Sequence, residues 1–581
     1  MKYMKLGSKP DTFYTEEAVR SVVSDIPADL IIHVNNTKYQ LHKFPLLLKC
    51  GLLQRLCSDT DDGDEEPVPV ALHDIPGGEQ AFELCAKFCY GISISISAGN
   101  LVPAMLAARF LRMTEAVAKG NLVAKLETFF DSCVLQGWKD SVAALQAAWR
   151  ISGWNESRIV QPCIDSIVEK ILLPPSKVTW SYTYTRPGYN STRKPHQSVP
   201  KDWWTEDISD LDIEVFHSVI STVRASRLLP PPLIGEALHV YACKHLVDPL
   251  HVASDAGLTA NGVLHQPPQS SDDGEEKLVA MQRRVLESIV TMVPGEPGSV
   301  TGRFLLRLLR VANYVSASSS TRAQLIRQAG SQLDEARAAD LLIPLPSDPH
   351  AYDVGTAEAV LEHFLAQFQR PAPTDERRRM SAAMEKVARI FDEYLRTIAL
   401  DRSFPVGKFV DLVECLPDIA RSDHDGLYYA IDIYLKEHPE LSKADKKRLC
   451  RLIDCRKLSP DVRAQAIAND RMPLRTIVQL LFVEQERTIG AAAGSHAASG
   501  GAADRASVGV ISQLAAGTKD EEPASSAGHK SDVHRPRRDH ARVADGASAM
   551  ARSLSASTKT PPAARKERTP EETGSRMRNK Q

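Results

Sequence analysis

No stretch of this chain approaches the roughly 20 consecutive apolar residues that a membrane-spanning helix needs. Any contact with a membrane is therefore expected to be peripheral. The opening MKYMKLGSKPDTFYTEE has no apolar core of the kind a secretory signal carries, so an intracellular protein is expected. An excess of one charge is also missing. Across 581 residues, 71 Lys and Arg meet 73 Asp and Glu, a formal net charge of −2. That balance implies no strong electrostatic partner for the chain as a whole, and no nucleic-acid ligand is expected.

The ten cysteines, from Cys50 to Cys455, lack short regular spacings. Cys85 and Cys89 are four apart and Cys450 and Cys455 five apart. No second pair completes the four clustered ligands that structural zinc requires, so buried, reduced thiols are the expected use. Glycine-rich phosphate fingerprints are absent, because Ala492–Gly501 is low in complexity and follows no strand. No nucleophile elbow, phosphate loop or paired-carboxylate motif lies near His42-Lys43, so that pair reads as an interface or capping pair. No cofactor, no metal and no catalytic residue is expected. The hydrophobic share of 43% and charged share of 25% are those of a soluble globular protein, and the length predicts two to four domains.

Residues 1–28 read as a polar lead-in. Asp29–His42, DLIIHVNNTKYQLH, then gives a β-hairpin, with Leu30, Ile32 and Val34 alternating against Ile31 and His33 and a turn at Asn35-Asn36. Pro45 is placed to start a helix, which Leu46, Leu47, Leu48, Leu52, Leu53 and Leu56 make apolar on a wide face. The acidic run Asp59–Glu66 predicts an exposed loop. Val68–Leu72 reads as a strand, and Gly77-Gly78 leads into a helix carrying Phe82, Cys85, Phe88 and Tyr90. Helices follow over Leu101–Leu111, Leu122–Val134, Trp138–Ser152 and Ile159–Leu173. Residues 179–201, rich in Pro, Ser and Thr, predict a linker.

Beyond it, Trp203-Trp204 reads as a helix-start anchor. Asp207 or Ser209 is placed to cap a helix carrying Leu211, Phe216, Val219 and Val223. Pro230-Pro231-Pro232 is an abrupt stop, and a second helix runs over Leu233–Leu246. A low-order insertion spans about 250–275. Helices resume at Lys277, Phe304–Val311 is dense enough in apolar residues to be buried on most sides, and residues 345–355 form a Pro- and Asp-rich break.

Leu427–Arg487 resolves into short amphipathic helices. His438-Pro439 ends the first, Ser442 caps the second, Ser459-Pro460 opens the third and Met472-Pro473 the fourth. Tyr428, Tyr429 and Tyr434 lie at helical spacing and read as packing residues with hydroxyls near water or a partner. Residues 490–581 hold 15 Lys and Arg against 10 Asp and Glu, with few large apolar residues, so a disordered basic tail is expected from 488 onward. Arg535-Pro536-Arg537-Arg538 reads as part of that solvated tail. Arg552-Ser553-Leu554-Ser555 resembles a basophilic kinase site, where a phosphate on Ser555 would offer an anionic motif to an Arg-lined reader.

Two resemblances follow from these residues. The order hairpin, helix, strand, helix, helical pairs, with Asp29, Val34, Leu41-His42-Lys43 and Leu46, resembles a BTB/POZ domain over residues 29–97, followed by a helical extension at 98–178. DWWTEDISDLDIEVFHSVISTVRASRLLPPPLIGEALHVYACKHL, then YAIDIYLKEHP, LCRLIDCRKLS and MPLRTIVQLLFVEQ, are similar to the NPH3 domain of plant NPH3/RPT2-like proteins, here 202–487. Trp203, Trp204, Gly235, Tyr429, Tyr434, Pro473 and Arg475 belong to those matching segments. Arg463 stands where the family's LSxEAC run usually has Cys.

The resemblance implies an α+β BTB/POZ domain, then a mostly α-helical NPH3 domain and a disordered tail. It implies a non-enzymatic, cytoplasmic adaptor. The BTB domain, at a surface around Asp29, His42, Lys43 and Leu46, would bind cullin-3 and self-associate or pair with a relative. The NPH3 domain would recruit a protein client for ubiquitination. The alternative it implies is a signalling scaffold in phototropin or auxin-transport pathways, coupled to a photoreceptor kinase or an anionic plasma-membrane surface.

Overall fold

The computed structural model describes residues 2–16, 19–58, 68–151, 157–186, 198–249, 272–345, 348–369 and 373–496. The chain divides into two units at Ser499/Gly500, and the second lies wholly outside the described residues. So do the acidic run Asp59–Glu66, most of the 250–275 insertion, residues 187–197 of the expected linker, Arg535–Arg538 and Ser555.

The N-terminal module is α+β. β4 (Leu30–Val34) and β5 (Thr37–Leu41) form the expected hairpin, Leu30 facing Leu41 and Val34 facing Thr37. Leu30, Ile32 and Val34 are fully buried, while His33 faces solvent, as strand alternation dictates. Asn35 turns the chain with φ 52°, the left-handed region that Asn tolerates better than most residues. β6 (Val68–Ala71) runs parallel to β4 at the sheet edge, where Pro69 costs no interior ladder bond.

The polar lead-in is structured. β1 (Tyr3–Leu6) pairs antiparallel with β7 (Ile94–Ser97). β2 (Phe13–Glu16) and β3 (Val19–Val22) extend the main sheet to the order β2-β3-β5-β4-β6, with β3 parallel to β5. Backbone pairing needs little apolar side chain at a sheet edge, so polarity concealed these strands. The single leucine-rich helix is two, Lys43–Leu47 and Gly51–Ser58. The break lets the Leu52 amide donate to Leu111 O, and it leaves Leu48 outside the core. Against the sheet lie the helices Gly78–Tyr90 and Ala98–Phe110, then Leu122–Phe129, which widens into a π turn over Phe130–Val134. Trp138–Arg150 and Ser157–Leu172 pair with each other.

The expected linker is, up to Arg186, a packed strap. Just past the buried Val178, Trp180 and Tyr182 lie against the ring of Trp203. Aromatic residues interleaved with Ser and Thr carried the packing that composition missed.

The remainder of the first unit is nearly all helix: Thr205–Ile208, Ile213–Ser226, Pro231–His245, Asp272–Met292, Gly302–Tyr314, Ser319–Ser331, Val354–Ala366, Thr374–Ile398, Val406–Cys415, Asp425–Glu437, Lys443–Cys450, Pro460–Ile467 and Leu474–His496. Successive helices pack side by side, Gly302–Tyr314 on Ser319–Ser331 and that on Val354–Ala366. Asp212, not Asp207 or Ser209, sits at the N-cap of Ile213–Ser226. Of the three prolines expected to stop a helix, Pro231 and Pro232 begin one, because the first turn needs no amide donor. The preceding helix has already ended at Arg227, with φ 54°. The Pro- and Asp-rich break is a small ribbon of β8 (Pro344–Leu345) and β9 (Asp348–Tyr352). The last helix runs on to His496, past the expected start of the tail, since Ala491–Ala493 are strong helix formers.

Candidate interaction surfaces

The first candidate surface is built at the junction of β5 and the helix Lys43–Leu47. A helix start leaves backbone amides without partners, and Asp29 supplies one: its Oδ1 accepts the Lys43 N–H at 2.6 Å. His42 is held by Tyr90. The Tyr90 hydroxyl accepts the His42 N–H at 2.8 Å and lies 3.0 Å from Nδ1, while Nε2 donates to the Ile26 carbonyl at 3.0 Å. Burial pushes the Tyr90 phenol up to about 12, so it stays a neutral hydroxyl able to serve both contacts. Leu46 anchors the helix in the core.

Asp29, His42, Lys43 and Leu46 thus form one construction, and its outer face is apolar. Phe44 is 75% exposed, and Leu48, one turn on, is 52% exposed; Ile26, whose carbonyl meets His42 Nε2, is also exposed. Sequence reasoning placed Leu48 in a helix's apolar face and did not single out Phe44. Phe44 lies between the capped Lys43 and Pro45, a cue that its side chain need not follow the inward leucines.

The second construction joins the two regions. The Trp203 ring stands 4.7 Å from Trp138 and 5.5 Å from Trp180, both edge-on. Trp138 Nε1 donates to Asp207 Oδ2 at 2.6 Å, and the Thr183 amide donates to the same oxygen at 3.1 Å. Trp203 and Trp204 are fully buried. Neither offers a stacking face to a ligand. Gly235, in the helix Pro231–His245, permits a close approach: a Cβ there would lie 1.9 Å from the Ser299 carbonyl oxygen.

In the helices from Asp425 on, Tyr434 is buried, its hydroxyl donating to Phe404 O at 2.5 Å and its ring stacked on His438 at 3.8 Å. Tyr428 is buried and accepts from Asn469 Nδ2 at 3.2 Å; the same amide donates to Asp432 at 2.6 Å. Tyr429 is half-buried under the Arg396 guanidinium, 5.4 Å from its ring. Pro473 opens the last helix, accepting the Thr476 amide at 2.8 Å, and Arg475 is exposed. Beside Arg475, Leu474, Val478, Leu481 and Phe482 are all exposed. Their spacing of four, three and one puts them on one face, while Thr476 and Leu480 face inward.

Among the described residues no cluster of His, Cys, Asp or Glu is arranged to hold a metal ion, and no helix is long and apolar enough to cross a membrane. What the described surfaces present is apolar side chains at two helices, each framed by capped and buried neighbours.

An α+β module carrying this capped strand–helix junction, joined to stacked helices through a tryptophan cluster, is the architecture of a BTB/POZ–NPH3 protein. Residues 202–462 match the NPH3 family. The chain is 51% identical to "BTB/POZ domain-containing protein At5g47800" of Arabidopsis thaliana, over 84% of this chain and 85% of that one. It is 36% identical to the Arabidopsis "Phototropic-responsive NPH3 family protein NPY1" over 86% and 84% of the two chains, and 33% identical to the Arabidopsis "Root phototropism protein 3" over 84% and 78%. The chain belongs to the NPH3 family. No solved structure matches it.

Proposed function

We propose that the chain is a non-catalytic adaptor of a cullin-3 RING ubiquitin ligase, with the N-terminal module binding the cullin and the helical region recruiting a protein client. The observation that carries this reading is the exposed pair Phe44 and Leu48 on the helix fixed by Asp29, His42 and Leu46. A rigidly positioned aromatic–aliphatic pair is the kind of anchor on which protein interfaces concentrate their binding energy. The stripe Leu474, Val478, Leu481 and Phe482 supports a second docking face for the client. Ubiquitin transfer would then rest on proximity, the adaptor raising the effective concentration of client lysines near a charged E2. The adaptor acts in the cytoplasm, and pairing through its BTB module would bring two clients to one complex.

The test is binding of the full-length chain to the N-terminal domain of cullin-3. Saturable binding, weakened at least ~10-fold by Phe44→Asp with Leu48→Asp and unchanged by Val478→Asp with Phe482→Asp, is the expected result. A folded wild-type chain that does not bind, or binding indifferent to Phe44 and Leu48, would overturn the reading. The phototropism named for two relatives favours a second role, in phototropic signalling, which we propose would take the form of a scaffold beside a photoreceptor kinase at the inner face of the plasma membrane. Sedimentation with anionic vesicles, with and without residues 490–581, separates it: tail-dependent binding without cullin binding supports the scaffold alone.

A further inference from the structure

The helix Pro231–His245 carries Glu236, His239 and Cys243 at intervals of three and four, which places them on one face. Cys243 is exposed, unlike the buried Cys50, Cys85, Cys89, Cys163, Cys450 and Cys455. Its Sγ lies 3.6 Å from His239 Nε2, and Arg307 Nη1, on the neighbouring helix Gly302–Tyr314, donates to the same sulfur at 2.7 Å. Glu236 Oε1 stands 3.9 Å from His239 Nδ1 and 2.8 Å from Arg186 of the strap, which also pairs with Asp202 at 2.6 Å. Asp248 faces Arg307 at 3.6 Å. Lys244, next in sequence, is engaged by Asp210. The sulfur therefore meets an imidazole and a guanidinium directly, while the carboxylates lie one group further out.

This surrounding favours the thiolate. The hydrogen bond from His239 is the largest cause holding the Cys243 thiol below its ordinary range, and the Arg307 charge adds to it against partial burial. His239 is correspondingly raised to about 9, first by Cys243 and then by Glu236. The contact shifts the thiol toward thiolate and the imidazole toward imidazolium. An exposed, stabilised thiolate reacts with small oxidants.

We propose that Cys243 is an oxidation-sensitive modification site, taking a hydroperoxide as oxidant and then a small-molecule thiol. The thiolate lone pair attacks the near oxygen of hydrogen peroxide and the O–O bond breaks. The departing hydroxide takes the proton of His239 and leaves as water. Sulfur becomes a sulfenic acid, oxidised by two electrons, and the peroxide is reduced by two. A small thiolate then attacks that sulfur, the S–O bond breaks, the hydroxide is protonated to water, and a mixed disulfide remains. The anion that tied His239 to Arg307 is thereby removed from the contact between two helices.

The full-length chain, reduced, is alkylated with iodoacetamide at pH 7, and each cysteine peptide is quantified by mass spectrometry. Cys415, half-buried with its thiol raised by burial, serves as the internal reference. Cys243 is expected to react at least ~10-fold faster than Cys415, and His239→Gln and Arg307→Gln, at side chains 47% and 24% exposed, are each expected to slow it by about 3-fold or more. Brief hydrogen peroxide followed by dimedone is expected to label Cys243 ahead of every other cysteine. A Cys243 rate equal to that of Cys415, a rate unchanged in both variants, or dimedone labelling spread evenly over the cysteines would each overturn the proposal. Circular dichroism of the two variants separates a lost thiolate from a lost fold.

Discussion

Arg463 Nε donates to Glu484 Oε2 at 2.9 Å, and the arginine side chain is 2% exposed where the glutamate is 49% exposed. A second donor, Nη1, reaches the Leu458 carbonyl at 2.9 Å. The buried charge in the helix Pro460–Ile467 is thus neutralised by the last helix, which it ties down. Arg463→Ala is expected to cost about 3 kcal/mol, because a buried cation's packing and both its bonds go. Glu484→Gln is expected to cost about 1 kcal/mol, since the amide keeps one acceptor and the site is half open to water. Urea unfolding of both variants and the double variant reads this. A double variant no more stable than the sum of the singles predicts would show that the pair is not coupled.

Gly235 and Gly407 are both helical glycines and should respond oppositely to alanine. A Cβ at 235 would sit 1.9 Å from a backbone carbonyl, which has no rotamer through which to yield, whereas nothing lies within 4 Å of one at 407. Gly235→Ala is expected to destabilise by roughly 3 kcal/mol or prevent folding. Gly407→Ala is expected to stabilise by about 0.5–1 kcal/mol through reduced backbone freedom in the unfolded chain. Thermal unfolding of the two checks the contrast, and equal shifts would sink it.

The parts of the fold legible in the sequence were those written in local signals. The Leu30–Leu41 hairpin has strict alternation and an Asn-Asn turn, and the helices after Ser442 and Ser459 have cap and proline cues that the structure uses as such. What stayed hidden depends on partners distant in sequence. β1 is a strand because Ile94–Ser97 offers its edge, and the strap is ordered because Trp203 offers its face. Asp207 looked like a cap, but Trp138, 69 residues away, claims its oxygen. The surfaces followed the same rule. Asp29, His42 and Lys43 were visible as a motif, whereas the outward turn of Phe44 and Leu48 depends on a helix break made by Leu111 and Arg112. Cys243 was passed over because cysteines were weighed as zinc ligands or core residues and not as activated thiols, although Glu236, His239 and Cys243 already stood at helical spacing.

Trp203 should hold the strap as well as the helices. Trp203→Ala removes contacts to Trp138, Trp180 and Tyr182 together and is expected to cost about 3–5 kcal/mol. Asp207→Asn leaves one acceptor for the Trp138 and Thr183 donors and removes the charge facing Lys139, so about 1–2 kcal/mol is expected. Both should speed chymotrypsin cleavage after Trp180, Tyr182 and Tyr184 relative to cleavage elsewhere in the folded chain. Unchanged cleavage at these three positions in a measurably destabilised Trp203→Ala would mean the strap is held independently of that ring.

His424 gives the region around Asp425–Glu437 a dependence on mild acid. Its Nδ1 accepts the Asp454 amide at 3.1 Å, which only an unprotonated nitrogen can do. Burial, then the charges of Lys457 and Arg421, hold its pKa below the ordinary value of 6.5, with Asp454 and Asp418 opposing weakly. A base depressed on folding binds fewer protons folded than unfolded, so its contribution is complete above about 6.5 and is lost as pH falls from there toward the folded value. The wild type is therefore expected to lose stability from pH 7 to pH 5 more steeply than His424→Gln, whose side-chain oxygen can take the same amide without titrating. Chemical denaturation at half-unit pH steps measures the two slopes. Parallel curves through that interval would show that protonation of His424 does not oppose the fold.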